Sequence, residues 1–161
     1  SAGALVTQPE SEFIKRSFSM ASVSSSTTIN QPVDNVFASV VSADNQRSWQ
    51  SGILEAKITP EGPVALGSIY HYTTEVMGRR METQLQVSAF EPNKKWGVKT
   101  TGVPRPVETI YSFESVGDAT KLTIAMDLTG GYPAAAEAMV KQQMQKSLDD
   151  QGHRLKQMLE K

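Results

Sequence analysis

Residues 107–129 read VETIYSFESVGDATKLTIAMDLT. Two stretches of alternating polar and apolar residues flank Gly117-Asp118, and glycine in the first central position of a two-residue connection suits a type II′ turn. Directly opposed residues of a hairpin share a face, so this turn sets Phe113 against Leu122, Tyr111 against Ile124, Thr109 against Met126 and Val107 against Leu128. On the other face Glu114 meets Lys121, an opposite-charge pair that supports the same register independently. The outcome is an antiparallel ribbon with one apolar and one wet face.

The segment from Gly67 to Phe90 has the same character, with a reversal expected at Gly78-Arg79. That turn predicts Val76 opposite Met81, Thr74 opposite Thr83, Tyr72 opposite Leu85 and Tyr70 opposite Val87. Met77, Glu75, Thr73 and His71 then face Arg80, Glu82, Gln84 and Gln86 on the outer side, with a like-charge contact between Glu75 and Glu82. The Glu91-Pro92-Asn93-Lys94 loop joins the two ribbons and is expected to oppose Ala89 with Trp96, Val87 with Val98 and Leu85 with Thr100.

Upstream, Val23, Ser25, Thr27 and Ile29 alternate as a strand, and Asn30 and Pro32 supply a cap and a first helical turn. The helix from Pro32 to about Val41 aligns Val33, Val36, Phe37, Val40 and Val41, and a second short helix leads from Ala43 to Trp49. Gly52 opens a strand with Leu54, Ala56 and Ile58 facing one way and Glu55 and Lys57 the other. The two prolines and two glycines between Thr59 and Gly67 mark a loop. From Tyr132-Pro133 onward the chain reads as one long helix with the stripe Ala136, Val140, Met144, Leu148, Gly152, Leu155 and Leu159. Gly152 in its interior marks either a close approach by a strand or ligand, or a tolerated weak point.

With 161 residues, 39% hydrophobic and 20% charged, the chain suits one domain with a core of its own. A net charge of −1 provides no basic field for nucleic acid, and Lys94, Lys95 and Lys99 are read as solvating an edge strand. The absence of cysteine excludes disulfides, thiol nucleophiles and cysteine metal sites. No apolar run approaches the roughly 18 residues of a membrane span, and a cytoplasmic protein is expected. Residues 1–19, beginning Ser1-Ala2-Gly3, read as a tag or disordered arm, with Met20 as the native start and residues 20–161 as the domain.

A strand, two short helices, a six-stranded meander and a long C-terminal helix follow one another in an order that resembles the START-like helix-grip superfamily (SRPBCC). Within it the chain is similar to the polyketide cyclase/dehydrase and lipid-transport group. The resemblance covers residues 21–161 and rests on Thr28-Ile29-Asn30-Gln31-Pro32-Val33-Asp34-Asn35-Val36-Phe37, Trp49, the Gly67 strand opening, Tyr111-Ser112-Phe113-Glu114, Ala119-Thr120-Lys121-Leu122-Thr123 and the ending Leu155-Lys156-Gln157-Met158-Leu159-Glu160. It implies an α+β fold: a curved antiparallel sheet of about seven strands wrapped around the terminal helix, with an elongated hydrophobic cavity between them. Fold alone names no substrate.

The candidate ligand-binding residues are those that the ribbons turn inward: Tyr70, Tyr72, Thr74, Thr83, Leu85, Val98, Thr100, Thr109, Tyr111, Phe113, Ile124 and Met126, joined by Val140, Met144 and Leu148 from the helix. These side chains also suit a filled core, but so many inward hydroxyls each demand a partner atom, which water or a ligand could supply. Asp44, Arg47, Glu61 and Arg105 come from loops near the expected mouth, and Arg105 could pair with a carboxylate or phenolate. His71 falls on the outer face and His153 off the helix stripe, so no metal site or general base is expected, and no cofactor.

Three functions follow in order. The first is binding or transport of a small hydrophobic or aromatic ligand such as a lipid, quinone or polyketide-like molecule, with the oligomeric state open between monomer and weak dimer. The second is a polyketide cyclase/dehydratase-type enzyme working through the pocket tyrosines. The third is a co-chaperone-like interaction domain using the outer sheet surface, whose row of His71, Gln84, Gln86 and Ser112 is polar.

Overall fold

A computed structural model describes residues 21–50, 52–102, 106–128 and 134–160. The alternating segments form β1 (Ala21–Ile29), β2 (Ile53–Thr59), β3 (Ile69–Val76), β4 (Arg79–Glu91), β5 (Lys95–Thr101), β6 (Val107–Val116) and β7 (Ala119–Leu128). The segments with helical spacing form α1 (Val33–Val41), α2 (Gln46–Trp49) and α3 (Ala134–Leu159), with a 3-10 turn at Ala43–Asn45. The strands make one curved antiparallel sheet in the order β1-β7-β6-β5-β4-β3-β2. β2 to β7 run as a meander, and α1 and α2 carry the chain from one edge strand, β1, to the other, β2.

Burial follows the predicted faces over most of the sheet, although Met81, expected inward beside the β3–β4 turn, is exposed. α1 buries Val36, Phe37, Val40 and Val41, and the sheet buries Tyr70, Tyr72, Val87, Trp96, Val98, Tyr111, Phe113, Leu122 and Ile124. α3 contributes Leu148 and Leu155, both fully buried, each worth roughly 1.5–3 kcal/mol of transfer free energy. At Gly152 a Cβ would meet Thr27 Cγ2 at 3.4 Å, an ordinary van der Waals contact, so β1 packs beside this position without requiring a glycine. Polar contacts tie α3 to β1 and its end: Gln145 Nε2 donates to the Ser24 carbonyl at 2.7 Å and Lys156 Nζ to the Thr28 carbonyl at 2.7 Å. The Asn30 backbone N–H donates to Glu160 Oε2 at 2.8 Å.

The register of β6 with β7 is the predicted one, including Glu114 opposite Lys121, with positive φ at Gly117. The β3–β4 hairpin differs. Its turn is Met77-Gly78, with φ of 53° and 80°, the two positive values of a type I′ turn. The pairs are therefore Thr74 with Met81, Tyr72 with Thr83 and Tyr70 with Leu85, displaced by two residues from those expected. A shift of two leaves each residue on its predicted face while changing its partner. It also sets Glu75 opposite Arg80, so the expected contact of Glu75 with Glu82 does not form.

Bulges account for two further differences. One between Val87 and Ala89 keeps Val87 opposite Val98 but moves Ala89 opposite Gly97 and Phe90 opposite Trp96. Another between Ile53 and Glu55 turns Ile53 toward the core side and leaves Leu54 exposed. The N-cap of α1 is Pro32, with no side-chain cap from Asn30. β5 lies at the centre of the sheet, so Lys95 and Lys99 are not edge residues; they stand opposite Glu91 and Glu108 respectively.

Candidate functional site

Successive inward residues of one strand lie about 7 Å apart along it, so a strand can be packed at one end of its inner face and open at the other. That division runs across β3 to β7. Nearer α1, Phe113 and Phe90 pack edge-on against Phe37, with ring centroids 5.0 and 5.6 Å away. Trp49 and Trp96 both contact Tyr111, at 5.8 and 4.7 Å, and Tyr70 stacks edge-on with Trp96 at 5.6 Å. Two residues further along each strand the filling stops. A cavity of about 270 Å³ opens there, lined by Tyr72 and Thr74 of β3, Thr83 and Leu85 of β4, Val98 and Thr100 of β5, Val107, Thr109 and Tyr111 of β6 and Met126 of β7. Ile53, Gln50, Ser147 and Gln151 complete the described lining.

Nine of the inward residues named from sequence therefore meet around one space: Tyr72, Thr74, Thr83, Leu85, Val98, Thr100, Thr109, Tyr111 and Met126. Tyr70, Phe113, Ile124 and Leu148 belong to the packed end instead, each 6% exposed or less and none of them lining the cavity. Met144 packs against that core and Val140 is half-buried on α3, and neither lines the cavity. Arg105 lies outside the described residues. Asp44 and Arg47 line a separate surface depression with Glu55, and Glu61 is exposed in the β2–β3 loop.

The helix presents Ser147 and Gln151 to the cavity because the stripe Leu148, Gly152, Leu155 is occupied by the core and by Thr27. Its flanking i, i+4 pair faces the opening. Sequence reasoning missed both, along with Gln46, Gln50 and Ile53. Val107 was placed on the inner face but not among the site residues. The available signal was polar residues beside apolar ones: Ser147 and Gln151 next to Leu148, and Gln46 and Gln50 around Trp49.

Most of the inward hydroxyls have protein partners. Tyr70 donates to the Val41 carbonyl at 2.5 Å, Tyr72 to Gln46 Oε1 at 2.9 Å and Tyr111 to Gln151 Oε1 at 2.8 Å. Thr74 donates to the Met81 carbonyl at 3.3 Å, and Thr100 Oγ1 accepts from the Val107 N–H at 2.7 Å. Gln46 is fully buried and central: its Nε2 donates to the Val40 carbonyl at 2.8 Å, while its Oε1 also accepts from Gln50 Nε2.

Burial pushes all three phenols up from their ordinary value. Tyr72 adds to the effect at Tyr70, Tyr72 and Tyr70 add to it at Tyr111, and a hydrogen bond from Gln50 partly offsets it at Tyr72. The tyrosines stay neutral across the physiological range. His71 stands on the outer face opposite Gln84, bonded to Thr59 Oγ1 at 2.8 Å, and His153 is exposed. Glu75 and Glu82 are exposed, and Glu108 on the outer face accepts from Ser88 at 2.7 Å. Among the described residues no group of three or more acidic, histidine or cysteine side chains could hold a metal ion, and no helix is long and apolar enough to cross a membrane.

A curved antiparallel sheet gripping a long C-terminal helix is the START-like architecture. Residues 20–160 match the family model described as polyketide cyclase / dehydrase and lipid transport, and the chain belongs to that family. A START superfamily protein from Mycobacterium smegmatis is similar in structure with a TM-score of 0.72 at 18% identity, covering 86% of this chain and 97% of that one. A polyketide-cyclase-like protein from Corynebacterium glutamicum superposes with a TM-score of 0.59 at 22% identity, over 87% and 94% of the two chains. The di-domain ARO/CYC StfQ from the steffimycin biosynthetic pathway gives a TM-score of 0.71 at 13% identity, covering 87% of this chain and 50% of that longer one. No curated protein matches the sequence.

Proposed function

We propose that the protein binds and carries a small hydrophobic or aromatic molecule, of lipid, quinone or polyketide-like character, in the cavity between the sheet and α3. The observation that carries this reading is a cavity of about 270 Å³ whose described lining contains no carboxylate, amine, guanidinium or imidazole. Its walls join the apolar side chains of Ile53, Leu85, Val98, Val107 and Met126 to hydroxyls and amides, a combination of apolar contact and orienting polar groups that suits a small-molecule site. A volume of about 270 Å³ lies near the lower end of small-molecule sites and admits a compact ring system. The family's lipid-transport description and the ARO/CYC neighbour support ligands of this class.

A cyclase or dehydratase working through Tyr72 or Tyr111 would need a phenol free to polarise a carbonyl. Both phenols already donate to glutamines, and burial opposes their ionisation, which favours a carrier over tyrosine-led catalysis. Incubation with cell extract followed by native mass spectrometry tests the proposal. A retained small neutral molecule in 1:1 ratio is expected. A protein that retains nothing, yet turns over an aromatic polyketide in a manner abolished by Tyr111→Phe, would overturn it.

A further inference from the structure

Two of the polar groups in the described lining are amides, and the others are hydroxyls of tyrosine, threonine and serine. Gln50 follows α2 and Gln151 lies on α3, and both line the cavity beside the aromatic cluster of Trp49 and Tyr111. Each is held by one of its two amide ends. Gln50 donates through Nε2 to Gln46 Oε1, which the Gln46–Val40 bond and the Tyr72 hydroxyl fix in place. Its carbonyl oxygen is the end left for an occupant. Gln151 accepts the Tyr111 hydroxyl on Oε1, which leaves the two N–H donors of its Nε2 for the same purpose. A flip of Gln151 would turn its nitrogen toward the phenol and remove the acceptor that the O–H uses.

We infer that Gln50 and Gln151 form a polar clamp that selects neutral ligands carrying a hydroxyl or keto group on an otherwise apolar ring system. This rests on the cavity being the ligand site. A hydroxyl can donate to the Gln50 carbonyl and accept from the Gln151 amide, and a keto oxygen can accept from the latter. The ligand's apolar body then lies along Leu85, Val98 and Met126. An ionised ligand would lose its water without meeting a counter-charge in the described lining. A pure hydrocarbon would cover the two amides without replacing the hydrogen bonds they make to water. The clamp therefore discriminates on both sides, against charge and against the absence of oxygen.

The test uses three probes of one size: 2-naphthol, naphthalene and 2-naphthoate at pH 8, each competing against the neutral dye Nile red. One net hydrogen bond corresponds to about fivefold in affinity, so 2-naphthol should bind about fivefold or more tighter than naphthalene, with 2-naphthoate weakest. Gln50→Leu and Gln151→Leu should each weaken 2-naphthol about fivefold, while naphthalene binds each variant at least as tightly as before. Retained naphthalene binding also shows that each variant is folded. Equal affinity for 2-naphthol and naphthalene, or a naphthol preference that survives both substitutions, would overturn the clamp and leave the carrier proposal standing. Failure of Nile red and of all three probes to bind the wild-type protein would remove both.

Discussion

Tyr70→Phe and Tyr111→Phe delete the same atom from two members of one aromatic cluster, both packed on Trp96, of which only Tyr111 lines the cavity, so comparing them isolates the environment of the hydroxyl. Tyr70 is fully buried and its hydroxyl donates to the Val41 carbonyl, at the last residue of α1, across 2.5 Å. It does not line the cavity, so its removal leaves a buried carbonyl without its donor, which costs about 2 kcal/mol. The Tyr111 hydroxyl donates to Gln151, which lines the cavity. Water admitted there can take over the acceptor, and the cost falls to about 1 kcal/mol or less. Urea unfolding followed by tryptophan fluorescence should show a larger fall in midpoint for Tyr70→Phe with an unchanged slope for both variants. In thermal unfolding the difference corresponds to roughly 2–4 °C for a domain of this size. Equal losses, or a larger loss for Tyr111→Phe, would refute the division of the inner face into a packed end and an open end.

Other consequences follow from particular contacts. A Cβ on Gly97 would meet Ile110 Cδ1 at 2.6 Å, Ser88 Oγ at 3.0 Å and Ala89 Cβ at 3.1 Å, so Gly97→Ala should destabilise by about 1–3 kcal/mol. In an Ile110→Ala background, chemical denaturation should show less than half of that loss. Gly152→Ala should stabilise by up to about 1 kcal/mol through helix propensity, because the new methyl meets Thr27 at an ordinary 3.4 Å; a lower melting temperature would contradict this. The raised phenol pKa values of Tyr70, Tyr72 and Tyr111 mean that the unfolded chain releases these protons first as pH rises. Their contribution is complete below the unfolded value of about 10 and is lost above it, at up to about 1.4 kcal/mol per tyrosine per pH unit. Tyrosinate absorbance from these residues should thus rise together with loss of the folded circular-dichroism signal, rather than before it.

The two hairpins show how far the sequence could be read. In β6–β7 the only glycine sits where a type II′ turn needs it and Glu114 checks against Lys121, so the register was legible residue by residue. In β3–β4 the turn also asks positive φ of Met77, which nothing in a methionine signals, and the pairing slipped by two. Faces survived because two is the period of a strand. The bulges at Ser88 and Leu54 left no mark in the alternation that could be separated from noise.

Tertiary packing decided what remained. The inward residues were identifiable, but which of them meet a cavity depends on where Phe37, Trp49 and the α3 stripe stop filling space. That boundary divides Tyr70 from Tyr72, Phe113 from Tyr111 and Ile124 from Met126. Members of each pair are alike in the chain and differ only in what the helices bring against them. Gln50 and Gln151 escaped notice for the converse reason, since a glutamine beside an apolar stripe is ordinarily a solvated neighbour.

Methyl-resolved NMR during titration with 2-naphthol reads the central claim atom by atom. If a neutral ring system occupies the open end of the sheet face, the methyls of Leu85, Val98, Val107 and Met126 should shift in a saturable manner. Those of Val87, Leu122 and Ile124 at the packed end should stay in place. Shifts spread over the packed methyls, or confined to Leu54 and Leu66 on the exposed surface, would contradict it.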